Sequence, residues 1–140
     1  MIYLLDTNVI SEMIRQRPDE NVLAWLRHID MCHFSLSVLS LGEIRKGVEK
    51  IGDSSKKQRI IQWLEIDLPR EFLGRIIPID QCVSDKWGYI TALSPIPAID
   101  GLIAASALVH NQKLVTRNVK DFKNIPGLEI INPWMIEPSA

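Results

Sequence analysis

Short apolar runs and amphipathic stretches take turns along the whole chain, and that alternation restricts the folds open to it. Residues 2–5 place four apolar side chains in succession with no polar alternation, the pattern of a strand covered on both faces. A helix over 9–15 follows, with Thr7 and Asn8 as its expected caps. Pro18 and Asp19 open a second helix, which ends near Asp30 and turns Val22, Leu23, Leu26 and Ile29 toward a core, with Trp25 beside them. The same reading gives a strand over 33–37, a helix from Ser37 or Ser40 to about Lys50, and an amphipathic helix within 54–68 with Ile60, Ile61, Leu64 and Leu68 inward. Beyond these it gives a strand over 74–79, a helix capped by Asp80 with Val83, Trp87 and Ile90 toward the core, and a nearly all-apolar helix after Pro97. A strand over 113–116, a polar turn with one helical turn over 117–122 and a fifth strand over 128–131 complete the pattern. Strands separated by helices call for a parallel sheet with right-handed crossovers. The predicted class is therefore α/β, in three layers: a parallel five-stranded sheet flanked by helices.

A chain of 140 residues fits a single domain, drawn here over 1–136, with 137–140 as a loose tail. With 46% hydrophobic and 24% charged residues the chain is too mixed to stay disordered. Its longest apolar stretch is far short of a membrane span, and Asp6 interrupts the N-terminal apolar run where a secretory signal would need none, so a cytoplasmic, membrane-free protein is expected. A net charge of -1 excludes a simple polycation that coats nucleic acid. Any such partner must meet a local patch. Arg45, Lys46, Lys50, Lys56, Lys57 and Arg59, against only Glu49 and Asp53, offer one on a helical hairpin projecting from the sheet, unless they are ordinary solvated surface. Cys32 and Cys82 match neither a redox pair nor a zinc pattern and read as structural thiols.

Four acids stand where such a sheet would gather them. Asp6 closes the first strand, Glu43 lies in the early turns of the helix after the second, and Asp121 follows the fourth. Asp100 opens the buried helix behind the stiff segment Ser94-Pro95-Ile96-Pro97. Each alone is explained as a turn, cap or dipole-matching residue. In a doubly wound parallel sheet, however, the strand carboxyl ends share one edge, and the four converge there. Clustered carboxylates raise one another's pKa and resist joint ionisation, a strain that a hard divalent cation relieves. Mg²⁺ or Mn²⁺ suits an all-oxygen site, and the chemistry that follows is in-line phosphodiester hydrolysis.

The stretches LLDTNVISE, SLSVLSLGEIRKG, IPAIDGLIAASAL and LVTRNVKDF with the following INPW resemble the PIN-domain family, specifically VapC-type ribonuclease toxins of toxin-antitoxin pairs. The match runs over almost the whole chain in the family's order and spacing. The resemblance implies a PIN-like fold and Mg²⁺- or Mn²⁺-dependent endonucleolytic cleavage of RNA. It assigns metal binding to Asp6, Glu43 and Asp100, and support of the carboxylates to Thr7, Asn8 and Thr116. It further implies a homodimer and a hetero-oligomer with a cognate antitoxin that inserts a basic side chain among the acids, DNA being met only through that antitoxin. The family's usual fourth acid, two residues beyond Thr116, is Asn118 here. Asp121 is expected to supply it instead, with Asn118 as a neutral ligand the alternative. Two other functions compete. A phosphatase or phosphoacceptor of haloacid-dehalogenase type wants a second aspartate at the position of Asn8, and a non-catalytic PIN-like binding module is opposed by the intact acids at 6, 43 and 100.

Overall fold

β1 (Tyr3–Leu5) occupies the middle of the sheet, and its two leucines show why the run had to be apolar throughout. Leu4 joins Leu114 in the cluster on one face, while Leu5 joins Leu36 and Val115 in the cluster on the other. In the computed structural model, which describes residues 1–136, β1 pairs in parallel with β2 (Phe34–Ser37) on one side and β4 (Lys113–Val115) on the other. β3 (Ile76–Ile77) and β5 (Ile130–Ile131) complete a five-stranded sheet of order β3-β2-β1-β4-β5, parallel throughout, as expected. The tail expected over 137–140 lies outside the described residues. Both edge strands are shorter than the sequence suggests. Each follows a glycine in the left-handed region, Gly74 and Gly127, both at φ 80°, and each ladders on one side only.

The layer holding Leu5 is made by α1 (Thr7–Ile14), α2 (Glu20–Arg27), α3 (Val38–Glu49) and α4 (Ser55–Gln62), which runs through a wide turn (Trp63–Asp67) into α5 (Leu68–Glu71). Pro69 accounts for that turn: lacking an N–H and crowding the carbonyl four residues back, it widens the helix so that Leu68 N donates to Trp63 O. The hairpin of α3 and α4 does not stand free of the sheet, because Leu64, Leu68 and Phe72 are buried against Phe34 and Leu36. Ile60 and Ile61 are only partly covered. The opposite layer holds α6 (Gln81–Leu93), α7 (Ala98–Val109) and α8 (Val119–Phe122). α6 and α7 bend by 119° across the proline segment, and no single helix among the described residues is long and apolar enough to cross a membrane.

The caps differ from expectation in a way that matters for function. α1 begins at Thr7, and its N-cap is Asp6, whose side chain accepts from Thr7 N. Thr7 and Asn8 are thus released from capping. Ser37 caps α3 by accepting from Leu39 N, which likewise frees Ser40. Glu12, buried, accepts from Asp19 N at 3.0 Å and pairs with Arg15 at 3.1 Å, closing the turn between α1 and α2. Since Leu5 is fully buried immediately before Asp6, Leu5→Ala is expected to destabilise the protein by about 3 kcal/mol through lost burial and a residual cavity, as read from urea unfolding.

Candidate active site

The strand order reverses at β1: the chain moves outward through β2 and β3, then returns to β4 on the other flank. Asp6 and Thr116 leave the carboxyl ends of β1 and β4 side by side, with Asp6 N donating to Val115 O at 2.9 Å. In open α/β sheets this switch point is where ligands bind. Asp6 is buried, and its oxygens are held separately. Oδ1 accepts from Thr7 N at 2.8 Å; Oδ2 accepts from the Thr116 hydroxyl at 2.8 Å, with Asn8 Nδ2 3.5 Å away. Asn8 also donates to Thr116 Oγ1 at 3.3 Å and accepts from Arg117 N at 3.3 Å, tying α1 to the segment after β4.

Glu43 reaches this group from α3. Its Oε1 lies 2.6 Å from Thr7 Oγ1, which is 2.8 Å from Ser40 Oγ. The single Thr7 hydroxyl proton goes to the carboxylate, so Ser40 donates to Thr7. Ser40 was expected only as a possible helix start, and its buried hydroxyl is the site residue that sequence reasoning missed. Its place three residues before Glu43, one helical turn, was the available signal. Asp121, exposed at the rim, accepts from Asn118 Nδ2 at 2.8 Å, so these two side chains meet as their spacing suggested. Asn118 holds the N-cap position of α8 without a side-chain capping bond.

Asp100 enters from the first turn of α7. That helix is set close to α6: a Cβ on Gly101 would lie 3.1 Å from Trp87 Cδ1 and 3.2 Å from Ile96 Cγ2. Trp87 packs on the core as expected, and its buried indole N–H has no hydrogen-bond partner among the described residues.

Two of the six basic residues on the α3–α4 hairpin meet acids within the protein. Arg45 pairs with Glu49 and Glu65, and Lys57 lies 3.9 Å from both Glu49 and Asp53. Lys56 alone of the six lines a groove of about 550 Å³ that opens from Thr7 and Glu43 over Ile14, Ile44 and Ile60. Neither cysteine is structural in the sense expected, since Cys32 and Cys82 are both free and exposed.

The family model for the PIN domain matches residues 3–128. The chain belongs to the PIN-domain family. Toxin FitB of Neisseria gonorrhoeae is 36% identical over 94% of this chain and 97% of its own, and VapC ribonuclease Y4jK of Sinorhizobium fredii is 33% identical over 94% and 96%. Among solved structures, FitAB bound to the IR36 DNA fragment contains a chain that superposes with a TM-score of 0.88 at 35% identity, covering 97% of this chain and 98% of that one.

In this PIN domain the four acids share their charge without a counter-ion. None of Asp6, Glu43, Asp100 or Asp121 is in a salt bridge among the described residues. Burial raises the Asp6 carboxyl above its ordinary range, the hydrogen bonds from Thr116 and Thr7 oppose that, and Glu43 adds to it. Asp100 is pushed up to about 6, first by burial and then by the charges of Asp6, Glu43 and Asp121. As placed, no three His, Cys, Asp or Glu side chains among the described residues close on one point tightly enough to hold a metal ion. The donor set itself fits a hard divalent cation: carboxylate oxygens only, uncompensated, with no soft ligand among them.

Asp100 gives the PIN domain a distinctive pH response. Its folded-state pKa of about 6 exceeds the ordinary 3.8, so between those values the folded protein binds more protons than the unfolded chain. Its contribution to stability therefore rises as pH falls through 6. In the presence of a chelator, Asp100→Asn is expected to melt above the wild type at pH 8, the difference shrinking as pH drops through 6. Differential scanning calorimetry across that range checks it. Gly101→Val, which forces side-chain atoms into Trp87 and Ile96, is expected to cost about 1–3 kcal/mol in denaturant unfolding. Gly88→Ala in α6, where a Cβ meets nothing within 4 Å, is expected to be neutral or stabilising.

Proposed function

We propose that this PIN domain is an endoribonuclease toxin in which Asp6, Glu43, Asp100 and Asp121 hold Mg²⁺ or Mn²⁺ for hydrolysis of RNA phosphodiesters. The observation that carries the reading is the gathering of four acids, without a cationic partner among the described residues, at the switch point of a parallel sheet. A cation bound there supplies a polarised water and offsets charge on the phosphate and its leaving oxygen.

The chain's own groups do the positioning. Thr7 N and Thr116 hold the two oxygens of Asp6 apart, so that each keeps a lone pair free, and Asn8 braces Thr116. Thr7 and Ser40 orient Glu43, and Asn118 Nδ2 donates to Asp121 Oδ2 and so holds the exposed carboxylate at the rim. The role of Asn118 is therefore to place the fourth acid rather than to replace it.

The biological half of the reading draws on the relatives, one named a toxin and one a ribonuclease, and on FitAB having been solved on DNA. By that likeness the chain works as a homodimer within a hetero-oligomer with a cognate antitoxin, which is the component that meets DNA. The apolar groove leading to Glu43 gives an antitoxin segment a route to the acids, where a basic side chain would stand in for the metal charge.

Purified protein should cut RNA only with Mg²⁺ or Mn²⁺ present. Because even residues that merely orient a metal ligand are typically worth 10- to 100-fold, Asp6→Asn, Glu43→Gln and Asp100→Asn are each expected to lower cleavage by at least about 100-fold. Mn²⁺ should raise the melting temperature of the wild type and leave that of Asp6→Asn unchanged. Asp121→Asn should demand more metal for half-maximal rate, and Asn118→Ala should do so to a smaller degree. Wild-type cleavage by any of the first three variants, or a rate indifferent to metal, contradicts the assignment.

A further inference from the structure

Arg117 follows Thr116 directly and stands at the rim of the acid site, its backbone N–H donating to Asn8 Oδ1 at 3.3 Å. A guanidinium beside uncompensated carboxylates would ordinarily pair with one of them. Among the described residues Arg117 forms no ion pair. Its guanidinium lies instead over the ring of Trp134, 5.3 Å from the centroid. The ring is itself anchored: Trp134 N donates to Asn132 Oδ1 at 3.0 Å, Trp134 O accepts from Asn21 Nδ2 at 3.2 Å, and the side chain packs on the cluster containing Leu5 and Val115. Stacking on an aromatic face restrains the guanidinium plane while leaving its N–H edge open to solvent, and Arg117 is exposed. Arg15 is occupied by Glu12 and Arg45 by Glu49 and Glu65, whereas Arg17, in the groove with Thr7 and Glu43, forms no ion pair among the described residues and has no aromatic ring beneath it there.

We propose that Arg117, held on Trp134, is a phosphate clamp for the RNA substrate: its fork grips a backbone phosphate flanking the one presented to the acids. The proposal rests on the ribonuclease reading and extends it to a substrate-binding residue. Three features favour a phosphate. The cation is kept out of the acid pocket, where it would compete with metal; its planar donor edge matches phosphate oxygens; and Lys120 and Lys123, exposed in the same segment, add attraction for a polyanion. An acidic side chain of a protein partner would satisfy the same fork, and the experiment separates the two.

The test uses the full-length protein, with a short fluorescent single-stranded RNA of mixed sequence in chelator for binding and total bacterial RNA with Mn²⁺ for cleavage. Arg117→Ala is expected to weaken RNA binding about tenfold or more, the worth of a charge-assisted hydrogen bond. The slope of log affinity against log salt should become shallower by about 0.7, the value for one phosphate contact to a single strand. KM should rise with kcat nearly unchanged. Arg117→Lys should keep the wild-type salt slope while recovering only part of the affinity, because a point charge replaces a fork. Unchanged affinity and slope in Arg117→Ala overturns the clamp and leaves an acidic protein partner as the reading. A fall in kcat with lowered melting temperature, not recovered by Arg117→Lys, also overturns it, making Arg117 structural. Wild-type protein that neither binds nor cuts RNA sinks the ribonuclease reading and the clamp together, whereas wild-type activity matched by Arg117→Ala sinks the clamp alone.

Discussion

Everything at the functional end of this molecule depends on keeping the Asp6 carboxylate charged while it is 5% exposed. Taking such a group out of water costs several kcal/mol, and its upward-shifted pKa records part of that cost. Three features offset it. Asp6 caps α1, where the helix N-terminus favours negative charge; Thr7 N supplies a backbone donor; and Thr116 supplies a hydroxyl from the neighbouring strand. The last of these exists only because β1 and β4 are adjacent and in register, Leu5 opposite Val115. Sheet topology and site chemistry are thus one constraint: a slip of β4 against β1 would remove the hydroxyl that holds Asp6 and turn Leu114 and Val115 to the wrong faces.

The same economy extends outward. Thr7 supports two acids at once, Asp6 through its N–H and Glu43 through its hydroxyl, so α1 and α3 are locked together at the point where charge repulsion would separate them. Asp100 is delivered differently, through the close approach of α7 to α6 at Gly101. One pair is therefore placed by hydrogen bonds and the other acid by packing. On the rim, Asn118 and Asp121 form a smaller pair, the amide donating to the carboxylate at 2.8 Å.

The alternation of apolar runs and amphipathic stretches made the sheet and its parallel sense legible, because burial on both faces leaves a mark in every strand residue. Caps were less legible. Asp6, Thr7 and Asn8 are all good caps, and only tertiary partners decide which one serves; Thr116 and Ser40, remote in sequence, drew Asn8 and Thr7 away from that task. The edge strands shrank because flanking glycines turn the chain, and the wide turn before Pro69 follows from a clash that helical periodicity does not encode. The basic stretch near α4 is offset in part by Glu65, twenty residues from Arg45, a contact that a local count of charges does not show. The cysteines misled for a related reason, since a small apolar residue type carries no indication of which side of a helix it will occupy.

A site whose carboxylate donors suit a hard divalent cation should cut RNA with water as nucleophile. The most direct measurement is the chemical nature of the ends left by the purified protein and Mn²⁺ on an RNA, compared with the same strand carrying a single 2′-deoxy residue at the cleaved position. The account requires linear phosphate and hydroxyl ends, with the deoxy-substituted strand still cut at that bond. A 2′,3′-cyclic phosphate, or resistance of the deoxy strand, would mean that the ribose itself attacks and that the four acids do not form a hydrolytic metal centre.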